Sequence, residues 1–92
     1  MTSTAPISVA HFFGAVDGES ARRMANSLSA FGLTEITVSM DLYGDWYVRA
    51  IDEGPYAESE LDFRAILAVG RAAKAVARHF GGRHQGEIRY SR

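Results

Sequence analysis

The order in which two hydrophobic periodicities follow each other is the feature that most restricts the fold of this chain. Apolar residues alternate with other residues in four segments: residues 7–13, 35–42, 46–51 and 86–90. Such alternation is typical of β-strands with one buried face. In residues 18–31 and 59–80 apolar side chains instead recur every three or four positions, as along one face of an α-helix. The predicted order is therefore strand, helix, strand, strand, helix, strand.

Capping residues and a glycine mark the ends of both predicted helices. Asp17 can cap the first helix, and Gly32 can end it in a left-handed conformation. Ser59 followed by Asp62 resembles a capping box, so the second helix is predicted to begin there and to run to about Phe80.

The order of elements predicts an α+β, ferredoxin-like βαββαβ fold, in which two helices cover one face of a four-stranded antiparallel sheet. The 92 residues suit one domain, predicted over residues 7–92, after a disordered tail at residues 1–6. Five apolar side chains are expected to share the core: Leu28, Val38, Met40, Ile66 and Phe80.

Several classes of protein are disfavoured by composition. The chain has no cysteine, so disulfides, thiolate catalysis and cysteine metal sites are excluded. The first residues lack the basic and apolar regions of a signal peptide, and no apolar run approaches the roughly 20 residues that span a bilayer. A cytoplasmic protein is the resulting expectation.

The three histidines form no recognisable catalytic or metal-binding pattern in the sequence. His11 has no acidic or nucleophilic neighbour, and His79 is separated from His84 by two glycines between a helix end and a strand. No third ligand lies at a familiar spacing from that pair, and no nucleophile–base pair or paired carboxylates stand out. We therefore predict no catalytic residue, no metal ligand and no cofactor, and a non-catalytic role is favoured.

Charge is distributed unevenly along the chain and concentrates on the second helix. Residues 41–62 carry a net charge of −6, and residues 63–92 carry +6. At about 100° per residue, four bases fall within a stripe of about 80° opposite the apolar face of this helix. These bases are Arg64, Arg71, Lys74 and Arg78. Leu67 shares the stripe, which is either a solvated helix face or a docking surface for an acidic, partly apolar protein segment.

The face of the sheet away from the helices is a second candidate surface. Strand alternation predicts that Phe12, Tyr47 and Ile51 point outwards there and form an apolar patch for a partner or for a homodimer. RNA-recognition motifs share this topology and stack bases on such aromatics, so single-stranded RNA binding is a third interpretation. The single lysine, the net charge of −1 and the missing basic-Gly-aromatic signature make it the weakest.

Three segments resemble one known protein family. They are Val9–Phe13, Ala30–Leu33 and Phe80–Gly86. An aromatic first strand, a first helix ending at Gly, and a long helix ending in an aromatic residue and Gly-Gly are similar to the regulator of ribonuclease activity B family, small bacterial inhibitors of ribonuclease E. Gln85 stands where the family pattern has an acid, and Glu87 stands where it has an aromatic residue.

The resemblance implies a non-catalytic regulatory protein that binds a ribonuclease or its degradation complex and modulates its activity. It implies no catalytic residues. The alternative is a small dimeric ferredoxin-like enzyme or ligand-binding protein. That alternative requires an apolar pocket between sheet and helices, with a histidine pointing into it.

Overall fold

A computed structural model of the chain describes residues 6–91 and contains six elements. These are β1 (Ile7–Ala15), α1 (Gly18–Phe31), β2 (Thr34–Met40), β3 (Trp46–Tyr56), α2 (Glu60–His79) and β4 (Arg83–Ser91). The strands form one antiparallel sheet in the order β2-β3-β1-β4, with β2 and β4 at its edges. This is the predicted α+β, ferredoxin-like fold. The predicted tail at residues 1–6 lies outside the described residues except for Pro6.

The caps at the ends of the helices are the ones that the sequence predicts. Asp17 accepts the backbone N–H of Ser20 at 2.7 Å, and Gly32 ends α1 with a φ of 115°. Ser59 begins α2 by accepting the backbone N–H of Asp62 at 3.2 Å. The predicted helix boundaries are confirmed, except that α2 ends one residue earlier than expected.

The core lies between the helices and one face of the sheet. Its fully buried members include Phe13, Met24, Leu28, Val48, Ala73 and Ala77. Of the residues predicted to be buried, Leu28 and Ile66 are confirmed. Val38 and Phe80 are half-buried and pack against the core. The prediction for Met40 is wrong, because it is the last residue of an edge strand and 56% of its surface is exposed.

Three strands are longer than their sequence pattern predicts: β1 extends to Ala15, and β3 and β4 both pair with β1 over its length. β3 continues past Ile51 to Tyr56, which lies opposite Ile7. Its Gly-Pro pair, which is typical of a turn, lies within the strand, where the register with β1 is irregular. β4 begins at Arg83 and brings His84 into the sheet.

Candidate functional site

The basic stripe of α2 is on the surface, as the sequence predicts. Its five members are all exposed: Arg64, Leu67, Arg71, Lys74 and Arg78. The opposite face of the helix buries Ile66, Ala73 and Ala77. Arg64 pairs with Glu60 at 2.9 Å, whereas no acidic side chain among residues 6–91 lies within ion-pairing distance of the other three bases. The stripe therefore presents both uncompensated positive charge and apolar area to solvent.

The predicted apolar patch on the other face of the sheet is not formed. Ile51 is only 1% exposed, at a position opposite Ala10 on β1 and Thr34 on β2. Phe12 and Tyr47 are half-buried. Contrary to expectation, Ile51 therefore offers no surface to a partner, and the three residues do not make one exposed patch.

Three side chains that no sequence pattern brought together meet on the helix-covered face of the sheet. His11 comes from β1, and His84 and Glu87 come from β4. A hydrogen bond of 3.0 Å joins His11 Nδ1 to His84 Nε2. One potential ligand atom from each of the three residues lies within 4.8 Å of the others. His11 is completely buried and the other two are half-buried. We call these three residues the His–His–Glu cluster.

A β-bulge in β4 creates this arrangement. Residues three apart in a regular strand point to opposite faces, which would separate His84 from Glu87. In the structure Phe13 lies opposite His84 and His11 lies opposite Glu87, so two steps along β1 correspond to three steps along β4. The extra residue changes the phase of the alternation, as bulges do. Both side chains therefore lie on the face that carries His11.

Burial and the negative charge of Glu87 shift the pKa values of His11 and His84 in opposite directions. The pKa of His11 is lowered mainly by burial, which disfavours its charged form, while the negative charge of Glu87 opposes this shift. The pKa of His84 is also lowered by burial against the influence of Glu87, and nearby Lys74 lowers it further. Both rings are consequently neutral at pH 7, the form of histidine that binds metal ions.

Two buried polar atoms of the His–His–Glu cluster have no hydrogen-bond partner within the described part of the chain. They are His11 Nε2 and Glu87 Oε2. Arg89 Nε is 3.9 Å from Glu87 Oε2, which is within ion-pairing range but too long for a hydrogen bond. Buried polar atoms are nearly always paired, so two exceptions in one cluster require a physical reason.

Two residues beside the His–His–Glu cluster, Asp52 and Gly70, bear on how it can bind another group. Asp52 is buried on the same face of the sheet, but its carboxylate accepts the Tyr56 hydroxyl at 2.6 Å. Gly70 of α2 faces Glu87, and a Cβ at this position would lie 3.3 Å from Glu87 Oε1. A glycine here therefore leaves space for the carboxylate beneath the helix, while Asp52 is engaged elsewhere.

The histidine pair considered from the sequence, His79 with His84, is not part of this cluster. His79 is exposed at the end of α2, and its ring packs edge-on against Phe80 with centroids 4.9 Å apart. The predicted topology already pairs β1 with β4, which could have indicated that His11 faces the last strand. Strand alternation alone could not give the register, because it does not reveal the bulge.

The enzyme alternative requires a pocket with a histidine directed into it. A cleft of about 390 Å³ lies at one end of the sheet, where Trp46, Arg83 and Gln85 contribute to its lining. No histidine lines this cleft. The two paired histidines lie instead between the sheet and α2, so the cleft and the His–His–Glu cluster are separate features.

No protein-family model matches the chain, and no significant match to a curated protein is found. Within residues 6–91, neither helix combines the length and apolar character needed to cross a bilayer.

Proposed function

We propose that this protein is a non-catalytic regulator that binds an acidic, partly apolar segment of a protein partner through the basic stripe of α2. The observation that carries the proposal is the position of Leu67, 48% exposed among four bases. Covering an exposed leucine is favourable because apolar area leaves water, and carboxylates of a partner would complement the bases. A phosphate backbone would satisfy the bases but would give Leu67 no apolar contact.

The resemblance to the regulator of ribonuclease activity B family supplies the identity of the partner within this proposal. It implies a ribonuclease of the ribonuclease E type, or its degradation complex, as the target in the cytoplasm. The segments Val9–Phe13 and Phe80–Gly86 support this assignment. They lie in β1 and at the junction of α2 with β4, outside the stripe itself.

Charge reversal on α2 tests the proposal with purified ribonuclease E as the binding partner. The double variant Arg71→Glu/Arg78→Glu should slow association about tenfold or more at low salt and weaken its salt dependence, because exposed charges act mainly on the encounter rate. The matched control is Arg22→Glu/Arg23→Glu, which reverses two exposed charges on α1. We expect the control to change association much less.

An apolar-to-charged substitution tests the contribution of Leu67. Leu67→Asp should raise the dissociation rate without unfolding the protein, since this side chain is exposed. Leu61→Asp is its control, because Leu61 is 76% exposed on the same helix but outside the stripe. Unchanged kinetics in Leu67→Asp and in the α2 double variant, with both proteins folded, would show that the stripe is only a solvated face. Stripe-dependent binding of single-stranded RNA instead of the ribonuclease would favour the RNA interpretation.

A further inference from the structure

The donor atoms of the His–His–Glu cluster have the chemistry of a transition-metal site. Two imidazoles and one carboxylate are a recurring ligand set for Zn²⁺ and for non-haem Fe²⁺. Mg²⁺ and Ca²⁺ prefer ligand sets made only of oxygen atoms. We propose that His11, His84 and Glu87 bind a divalent transition-metal ion between the sheet and α2. This site lies on the inner side of α2, and of the basic stripe on the outer side Lys74 is near enough to His84 to lower its pKa.

The distances within the cluster fit such an ion with little movement. At metal–nitrogen bonds of about 2.1 Å, neighbouring ligands are about 3.0 Å apart in octahedral and about 3.4 Å apart in tetrahedral geometry. The facing nitrogens of His11 and His84 are 3.0 Å apart. The three ligand atoms all lie within 4.8 Å of one another, so Glu87 needs to approach by at most about 2 Å. Rotation of its half-buried side chain can supply that movement.

The unpaired polar atoms distinguish this cluster from an ordinary buried hydrogen-bond network. A network that serves only the fold is expected to satisfy its members, yet His11 Nε2 and Glu87 Oε2 have no hydrogen-bond partner among the described residues. Coordination through Nδ1 of His11, the nitrogen that faces His84, would leave His11 Nε2 protonated, so an ion accounts directly for the unpaired carboxylate oxygen of Glu87 and not for this nitrogen.

The place of the cluster in the fold gives an ion a route in and leaves it an open coordination position. β4 is an edge strand, and the Glu87 side chain is 28% exposed. Three protein ligands leave at least one position for water or a small ligand, which is the arrangement of catalytic rather than structural zinc sites. Such a position would let the bound ion take a further small ligand.

Titration of tag-free, chelator-treated protein with Zn²⁺ tests the site by calorimetry, and Co²⁺ provides visible absorption from the bound ion. We expect one ion per chain and no comparable binding of Mg²⁺. Loss of an outer-shell partner alone weakens metal sites by about 10–100-fold, so loss of a ligand in His84→Gln or Glu87→Gln should weaken binding at least about tenfold. His79→Gln is the matched control, because His79 is an exposed histidine outside the cluster.

The outcomes separate the site from adventitious binding. Wild-type affinity in His79→Gln together with the loss in Glu87→Gln would support the proposal. Absence of Zn²⁺ binding, or equal affinity in Glu87→Gln and the wild type, would overturn it. Circular dichroism confirms folding of each variant, and Glu87→Gln decides the question if His84→Gln does not fold. The Arg71→Glu/Arg78→Glu variant should retain metal affinity, so failure of partner binding and failure of this site are distinguishable.

Discussion

Gly82 joins the end of α2 to β4 at a point where the structure has no space for a side chain. Its backbone N–H donates to the carbonyl oxygen of Ala77 at 2.9 Å. A Cβ at this position would lie against the carbonyl oxygen of Gly14 at an impossible separation, and 2.6 Å from the terminal methyl of Met24. The Gly14 oxygen belongs to the backbone of β1, and Met24 is completely buried. We therefore predict that Gly82→Ala destabilises the protein by overpacking.

The expected magnitude follows from the atoms that would have to move. Overpacking a core typically costs about 1–3 kcal/mol, and because one obstacle is the backbone of a central strand we expect about 2–3 kcal/mol. Gly86→Ala is the matched control on β4, since a Cβ there meets no atom within 4 Å. This control should be neutral, or more stable by up to about 1 kcal/mol, because alanine restricts the unfolded chain.

Urea unfolding followed by circular dichroism measures both variants. With a denaturant dependence of about 1–2 kcal/mol per M for a small domain, the midpoint for Gly82→Ala should fall by about 1–3 M. The midpoint for Gly86→Ala should stay at or slightly above the wild-type value. If Gly82→Ala unfolds at the same urea concentration as Gly86→Ala, the close approach between the α2–β4 junction and β1 is wrong.

Two further predictions concern the core and a helix cap. Ile66→Ala should lower the free energy of unfolding by about 2–5 kcal/mol because Ile66 is fully buried, whereas Met40→Ala, at a 56% exposed position, should change it by less than about 0.5 kcal/mol in the same urea assay. Asp17→Ala should lower the melting temperature at pH 7, because the Ser20 N–H that Asp17 accepts holds the pKa of its carboxyl below the usual 3.8. The folded state lowers this pKa, so the stabilisation is present above about pH 4 and is lost as the pH falls through the folded-state value. Asp17→Asn, which keeps a neutral cap, should show a weaker pH dependence than the wild type between pH 7 and pH 3, and an identical dependence would contradict this reasoning.

The elements of this protein could be predicted from sequence because the interactions that define them are local. The caps at Asp17 and Ser59 act on backbone groups three residues away, and Gly32 ends α1 through its own backbone conformation. Helical and strand periodicities are likewise properties of neighbouring residues. The order of the elements then restricted the chain to a four-stranded sheet covered by two helices.

Strand length and burial could not be obtained in the same way, because they depend on position within the sheet. Ile51 and Met40 both occupy positions in alternating apolar patterns. Ile51 lies on a central strand and is 1% exposed, whereas Met40 ends an edge strand and is 56% exposed. Pairing with β1 also extends β3 through a Gly-Pro pair that is locally typical of a turn.

The sequence by itself determined that His11 lies in the first strand and Glu87 in the last, with His84 three residues before that glutamate and ahead of the predicted strand. Only the tertiary structure decided that they meet. Pairing of β1 with β4 brings His11 opposite Glu87, although 76 positions separate them in the chain. The bulge at Gln85 then places His84 on the same face, since one extra residue reverses the alternation of all side chains that follow it.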